Sequence, residues 1–215
     1  MSAVQSKNSS KIFVDLSAEE LINYAIEREE GVIAANGALA VSTGKRTGRS
    51  PKDKFIVAEP NSEKDIDWDS INQAFSEDRF HALWHRAEQY AKEVDLFISN
   101  LRVGADPTYY LPVKVITEFA WHNLFARQLF IRPDDFYGKI AKPEWTILSV
   151  PGLKTDPQRD GVNSDAILVI HLTERKVLLC GHRYAGEIKK AMFSVMNYLL
   201  PALDVLPMHC SANVG

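Results

Sequence analysis

Between Ala166 and Cys180 the sequence reads AILVIHLTERKVLLC, two apolar runs joined by the short polar link Thr173-Glu174-Arg175. Runs of four to six residues rich in Ile, Val and Leu, broken by a tight link, read as a β-hairpin. A hairpin commits the chain to at least one antiparallel strand pair. The flanking sequence points elsewhere. Trp145–Val150, Asp95–Ser99 and Val113–Ile116 read as further strands, and helical periodicity separates them. Ser76–Val94 repeats apolar residues at Phe80, Leu83, Trp84, Ala87, Ala91 and Val94, and Thr117–Phe130 is an aromatic-rich helix with Pro133 beyond it. Alternating strands and helices with one hairpin predict an α/β fold, a mixed β-sheet flanked by helices.

The rest of the chain fits that frame. Ser17-Ala18-Glu19-Glu20 has the form of a capping box, and Leu21, Ile22, Ala25 and Ile26 give an apolar helix face with Gly31 as the expected stop. Residues 59–70 are acidic and read as a surface connection. A last helix opens at Ala185 or Gly186 and runs to Leu200, with Met192, Phe193, Met196 and Leu199 or Leu200 as its buried stripe. Val205–Gly215 begins like a strand, either the first of a further domain or one that closes the sheet edge.

The chain has 215 residues, enough for one large domain or two modest ones, and its formal net charge of -3 argues against a general nucleic-acid binder. No apolar run reaches the roughly 20 residues that span a bilayer, and the N-terminal residues lack a secretory pattern. Cys180 and Cys210 make no disulfide framework, so a cytoplasmic location is expected.

Chemistry concentrates in Ser42–Val57, STGKRTGRSPKDKFIV, between the apolar runs Ala38–Val41 and Phe55–Val57, which both read as short buried strands. Lys45, Arg46, Arg49, Lys52 and Lys54 crowd this loop, and within it Asp53 alone opposes them. Gly44 and Gly48 allow positive φ and bring backbone N–H groups close to a ligand, while Pro51 stiffens the exit. Such a loop suits a small carboxylate or phosphate, and Arg49 offers a planar fork for bidentate binding. Tyr184, just ahead of the last helix, has a hydroxyl that can donate to a substrate oxygen. Lys190 by itself reads as a surface charge. His81 and His85 could share a metal but lack the zinc-protease pattern, because position 82 is alanine, so they read as exposed histidines. Gly44-Lys45 is followed by arginine, which rules out a Walker loop, and no G-x-G-x-x-G occurs.

The segments TGKRTGRSPKDKFIV, ITEFAWHNLFARQLFIRP, GVNSDAILVIHLTER, YAGEIKKAMFSVMNYLLP and MHCSANVG together resemble ATP-dependent phosphoenolpyruvate carboxykinase over most of the chain. The resemblance implies the family's N-terminal domain, with residues 1–204 as a substrate-binding α/β domain and 205–215 as the first strand of a nucleotide-binding domain. It implies conversion of oxaloacetate and ATP to phosphoenolpyruvate, carbon dioxide and ADP, as in gluconeogenesis. It places Arg49, Tyr184 and Lys190 at the substrate and Lys190 and His209 at the nucleotide. Lys190 and His209 also match ligands of a catalytic Mn²⁺, and Mg²⁺ accompanies ATP. Because the family's phosphate-binding loop follows HCSANVG, the 215 residues alone are expected to be inactive. The competing reading is a non-catalytic anion-binding or interaction module on the same fold.

Overall fold

A computed structural model describes residues 10–69, 71–132, 142–211 and 213–214. Eight strands form one sheet: β1 (Ile12–Val14), β4 (Lys54–Val57), β5 (Gln73–Phe75), β6 (Leu96–Val103), β7 (Leu111–Thr117), β8 (Trp145–Val150), β9 (Ile167–His171) and β10 (Lys176–Cys180). Their spatial order is β1-β6-β7-β8-β10-β9-β4-β5. The junctions β6–β7 and β10–β9 are antiparallel and the others parallel, so the sheet is mixed as expected. The β9–β10 hairpin pairs Ile167 with Cys180 and His171 with Lys176.

Side chains alternate across the central strands, and each face meets different helices. Leu168, Ile170, Val177 and Leu179 join α1 (Ala18–Glu27), α3 (Ala120–Leu129) and α5 (Gly186–Leu199) in one core. Ile167, Val169, Leu178 and Cys180 join α2 (Glu77–Ala91) in the other. A short α4 (Pro157–Asp160), N-capped by Asp156, lies in the loop before β9. The helix α5 docks through Ile188, Ala191, Met192 and Val195, all buried. Burying an aliphatic side chain of that size contributes roughly 1.5–3 kcal/mol each, so this stripe fixes where the rest of α5 points.

Several local expectations are met. The Ser17 N–H donates to Glu20 Oε2 at 2.8 Å, and the Glu20 N–H donates to Ser17 Oγ at 3.2 Å, closing the capping box of α1. Trp121 and Phe130 are buried in the core around α3. That helix ends at Leu129, short of Pro133, which lies outside the described residues.

Others are corrected. The left-handed residue after α1 is Glu29 (φ 54°), whereas Gly31 begins β2 (Gly31–Ile33). A Cβ at Gly31 would lie 2.6 Å from the Ala40 carbonyl oxygen, so the glycine serves close strand approach instead of helix termination. β3 (Leu39–Val41) is only half-buried and pairs with β2 in a separate two-stranded sheet, while β4 is the buried strand. Within the expected surface connection, Glu59 and Ser62 are buried. Phe193 leaves the buried stripe of α5 and lies half-exposed. Of the two expectations for Val205–Gly215, closure of the existing sheet edge is not met, because residues 205–211 are mostly exposed and unpaired. A strand needs a hydrogen-bonding edge, and no described strand pairs with this segment. Among the described residues no helix is long and apolar enough to cross a membrane.

Candidate functional site

The basic loop leaves β3 at Val41 and re-enters the large sheet through a 3₁₀ turn, Pro51–Asp53, that leads into β4. Gly44 takes a left-handed φ of 68°, but Gly48 does not, so only the first glycine is required by backbone conformation. Arg46 anchors the loop. Its guanidinium donates to Asp53 Oδ2 at 3.2 Å, to Ser164 Oγ at 2.8 Å and to Asp165 Oδ1 at 2.9 Å. Asp165 also takes Lys45 at 3.2 Å, and Ser164 Oγ donates to buried Asp53 at 2.7 Å. Two of the five cations are therefore structural. The arginine read as part of an anion trap is neutralised from the far side of the sequence.

A second tie fixes the loop to α5. The Ser50 N–H donates to Glu187 Oε1 at 2.7 Å. Glu187 is itself buried in the first turn of α5, where a carboxylate is favoured by the helix dipole. Arg49 is thereby held next to the start of this helix. It is exposed and has no hydrogen bond or ion pair among the described residues.

Around it the structure gathers further cations. Lys189 and Lys190 both approach the Phe193 ring, with Nζ 5.8 Å and 5.3 Å from its centroid. The His209 ring meets the same phenyl at 5.7 Å. Phe193 is thus the platform on which two lysines of α5 and a histidine 16 residues beyond Phe193 converge. Packing around Lys190, then the charges of Lys189 and Arg49, pull its amine below the ordinary lysine range. Lys189, Lys190 and Arg49 likewise hold His209 below the ordinary imidazole range. Lys54 at the start of β4 is lowered too, by burial and then by Arg49. Lysine and histidine ligate a metal only in their neutral forms, and both shifts run in that direction.

Tyr184 lies two residues ahead of α5. It is half-buried and lines a cleft of about 440 Å³ with Thr43, Leu39, Trp121, Leu124 and Gly186. It makes no hydrogen bond to Arg49, Lys190 or His209 among the described residues. Its ring folds back over Gly186, where a Cβ would come within 2.5 Å of a ring carbon. The histidine pair of α2 does not converge: His85 faces Gln89, and His81 turns to Glu174.

Glu187 and Phe193 are the functional candidates that sequence reasoning missed. Each lies three residues from Lys190 on α5, one on either side, so helical spacing was the available signal.

The family model described as phosphoenolpyruvate carboxykinase matches residues 10–215. The chain belongs to the phosphoenolpyruvate carboxykinase family. It is 49% identical over 207 residues to the phosphoenolpyruvate carboxykinase (ATP) of Alkaliphilus oremlandii, covering 96% of this chain and 39% of that protein. It is 50% identical over 202 residues to the enzyme of the same name from Bacillus pumilus, covering 94% of this chain and 38% of that protein. Against the Bacillus subtilis protein of that name the identity is 49% over 202 residues, with 94% and 38% covered. The chain thus spans about two fifths of the length of the curated carboxykinases it matches. Of the segments that resemble carboxykinases, the loop before β4, α5 and residues 208–215 carry Arg49, Lys189, Lys190 and His209, and the others lie on α3 and the β9–β10 hairpin.

Proposed function

We propose that this chain is the oxaloacetate-binding part of an ATP-dependent phosphoenolpyruvate carboxykinase. The observation that supports it most directly is the convergence of Lys189, Lys190 and His209 on the Phe193 ring, with the Arg49 charge acting on both Lys190 and His209.

In this reading Arg49 grips one carboxylate of oxaloacetate bidentately. Glu187 keeps it there by holding the Ser50 backbone. Tyr184, on the cleft side of the α5 N-terminus, donates its hydroxyl to a substrate oxygen. Lys190 and His209 hold Mn²⁺. A divalent cation in that place supplies electrostatic stabilisation of the enolate charge left by decarboxylation. Lys189 adds a positive charge near the oxygen that accepts the phosphoryl group of Mg²⁺-bound ATP. Residues 205–215 then serve as the first strand of the nucleotide-binding domain. The 215 residues contain neither a Walker loop nor a G-x-G-x-x-G segment. The chain alone is accordingly expected to show no turnover.

The test is Arg49→Ala in the complete enzyme that contains this chain. Each charge-assisted bond contributes roughly 1.5–3 kcal/mol net, so kcat/KM for oxaloacetate should fall about a hundredfold or more. An unchanged kcat/KM would sink the assignment.

A further inference from the structure

On the sheet face opposite α5, four side chains from two elements meet that the carboxykinase reading does not use. Glu77 and His81, four apart, share one face at the start of α2. His171 ends β9, continuing the stripe of Ile167 and Val169 that faces α2, and Glu174 sits in the turn before β10. One ligating atom from each lies within 4.8 Å of the other three. His81 Nε2 and Glu174 Oε1 are 2.5 Å apart, and His171 Nε2 is 3.5 Å from Glu174 Oε1 and 3.8 Å from Glu77 Oε1.

The exposed His81–Glu174 ion pair, a contact of modest value, does not account for His171. That side chain is 1% exposed, its ring is fixed by an edge contact with Phe80 at 4.8 Å, and its Nε2 has no hydrogen-bond partner among the described residues. A buried polar nitrogen without a partner is unusual and costs stability. This one aims at two carboxylates and a second imidazole.

We propose that Glu77, His81, His171 and Glu174 form a four-ligand site for a divalent transition-metal cation, best matched to Zn²⁺, that pins the β9–β10 turn to the start of α2. Two imidazoles and two carboxylates are a borderline donor set, and Zn²⁺ accepts such sets tetrahedrally at about 2.0–2.2 Å from each ligand. That geometry sets ligand atoms about 3.3 Å apart, so the 3.5 and 3.8 Å spacings need little adjustment and the 2.5 Å pair must open. Surrounding groups fix the ligands. Lys176 takes Glu174 Oε2 at 2.6 Å, leaving Oε1 for the site. Glu59, buried, has Oε2 3.4 Å from His171 Nδ1. The Glu174 N–H also approaches Nδ1, at 3.3 Å, and the two contacts call for opposite tautomers. A cation on Nε2 selects the one in which Nδ1–H donates to Glu59, the usual support for a metal-bound histidine. With four protein ligands the site is closed and structural, and its exposed members, Glu77 and His81, give the ion access from solvent.

Equilibrium dialysis with Zn²⁺ tests it on the chain carrying His209→Ala, which removes a ligand of the other prospective metal site. That parent should bind one Zn²⁺ per chain and unfold at higher temperature when Zn²⁺ is present. Adding His81→Ala and Glu174→Gln, both at solvent-accessible positions, should weaken binding by at least about tenfold for each ligand lost and abolish the thermal shift. Far-UV circular dichroism without Zn²⁺ verifies that both proteins are folded. Failure of the parent to bind Zn²⁺, or equal affinity in the two proteins, overturns the proposal.

Discussion

Arg46 and Arg49 stand three residues apart in one loop and have opposite fates. Arg46 is 16% exposed and its partners include a buried carboxylate and a serine 118 positions away. Arg49 faces solvent. Removing Arg46 leaves Asp53 and Asp165 without their main counter-charge in a partly buried network, which is the costly direction for an ion pair. Arg46→Ala should therefore destabilise the chain by about 1–3 kcal/mol, whereas Arg49→Ala should stay within about 0.5 kcal/mol. Urea unfolding of the two variants separates the roles. Equal losses would mean that Arg49 too is structural. Only one of the two arginines can be spent on a ligand, and the loop sequence does not say which. The deciding acid, Asp165, lies in another part of the chain.

At the scale of elements, the start of α5 sets stability against function. Glycine is a weaker helix former than alanine, yet a Cβ at Gly186 would press into the outer atoms of the Tyr184 ring. Gly186→Ala should therefore leave unfolding temperature unchanged or raise it, because a side-chain tip can swing away. The displaced Tyr184 should lower kcat/KM in the complete enzyme. A lowered melting temperature with intact kinetics would contradict this account. The same region shows what sequence can reveal. The β9–β10 hairpin, the capping box of α1 and the span of α5 were legible, because their signals lie within one or two turns of chain. β5 was not. Three residues at a sheet edge carry no periodicity of their own, and Gln73–Phe75 is a strand only because β4 lies beside it. α4 was missed as well, although Asp156-Pro157 is a fair helix-start signal. Gly31 misled for a related reason, since close packing and helix termination both select glycine. The site was half legible. Family resemblance named Arg49, Tyr184, Lys190 and His209, but the Ser50–Glu187 bond joins residues 137 apart, and nothing local marks it.

For the molecule as a whole, buried histidines govern the response to acid. His122 on α3 is buried as a neutral ring, with Nε2–H donating to the Arg183 carbonyl at 3.0 Å and Nδ1 3.3 Å from Ser149 Oγ. Burial pushes its pKa from 6.5 down to about 3. Burial, with the Arg46 charge added, pushes His182 down to about 4, and neither of its ring nitrogens has a partner among the described residues. Both folded values lie below the unfolded ones, so between pH 6.5 and those values the unfolded chain binds protons that the native chain does not. The stabilisation is fully present above pH 6.5 and falls as pH drops, by about 1.4 kcal/mol per pH unit for each histidine. Burial lowers His171 in the same sense. Carboxylates act later: Glu174, lowered to about 2, and Asp165, held down by Arg46, lose their contribution only as pH falls below the ordinary carboxylate range. Glu30, raised by burial, works in the opposite direction and does so above that range. Urea unfolding between pH 7.5 and 5 should therefore show stability declining well before the lowered carboxylates titrate. In His122→Asn, which keeps hydrogen-bonding groups but cannot titrate, that slope should be shallower by about 1.4 kcal/mol per pH unit. The slope is the decisive quantity, because the substitution also lowers stability at every pH. A slope unchanged by His122→Asn would show that the acid response originates elsewhere.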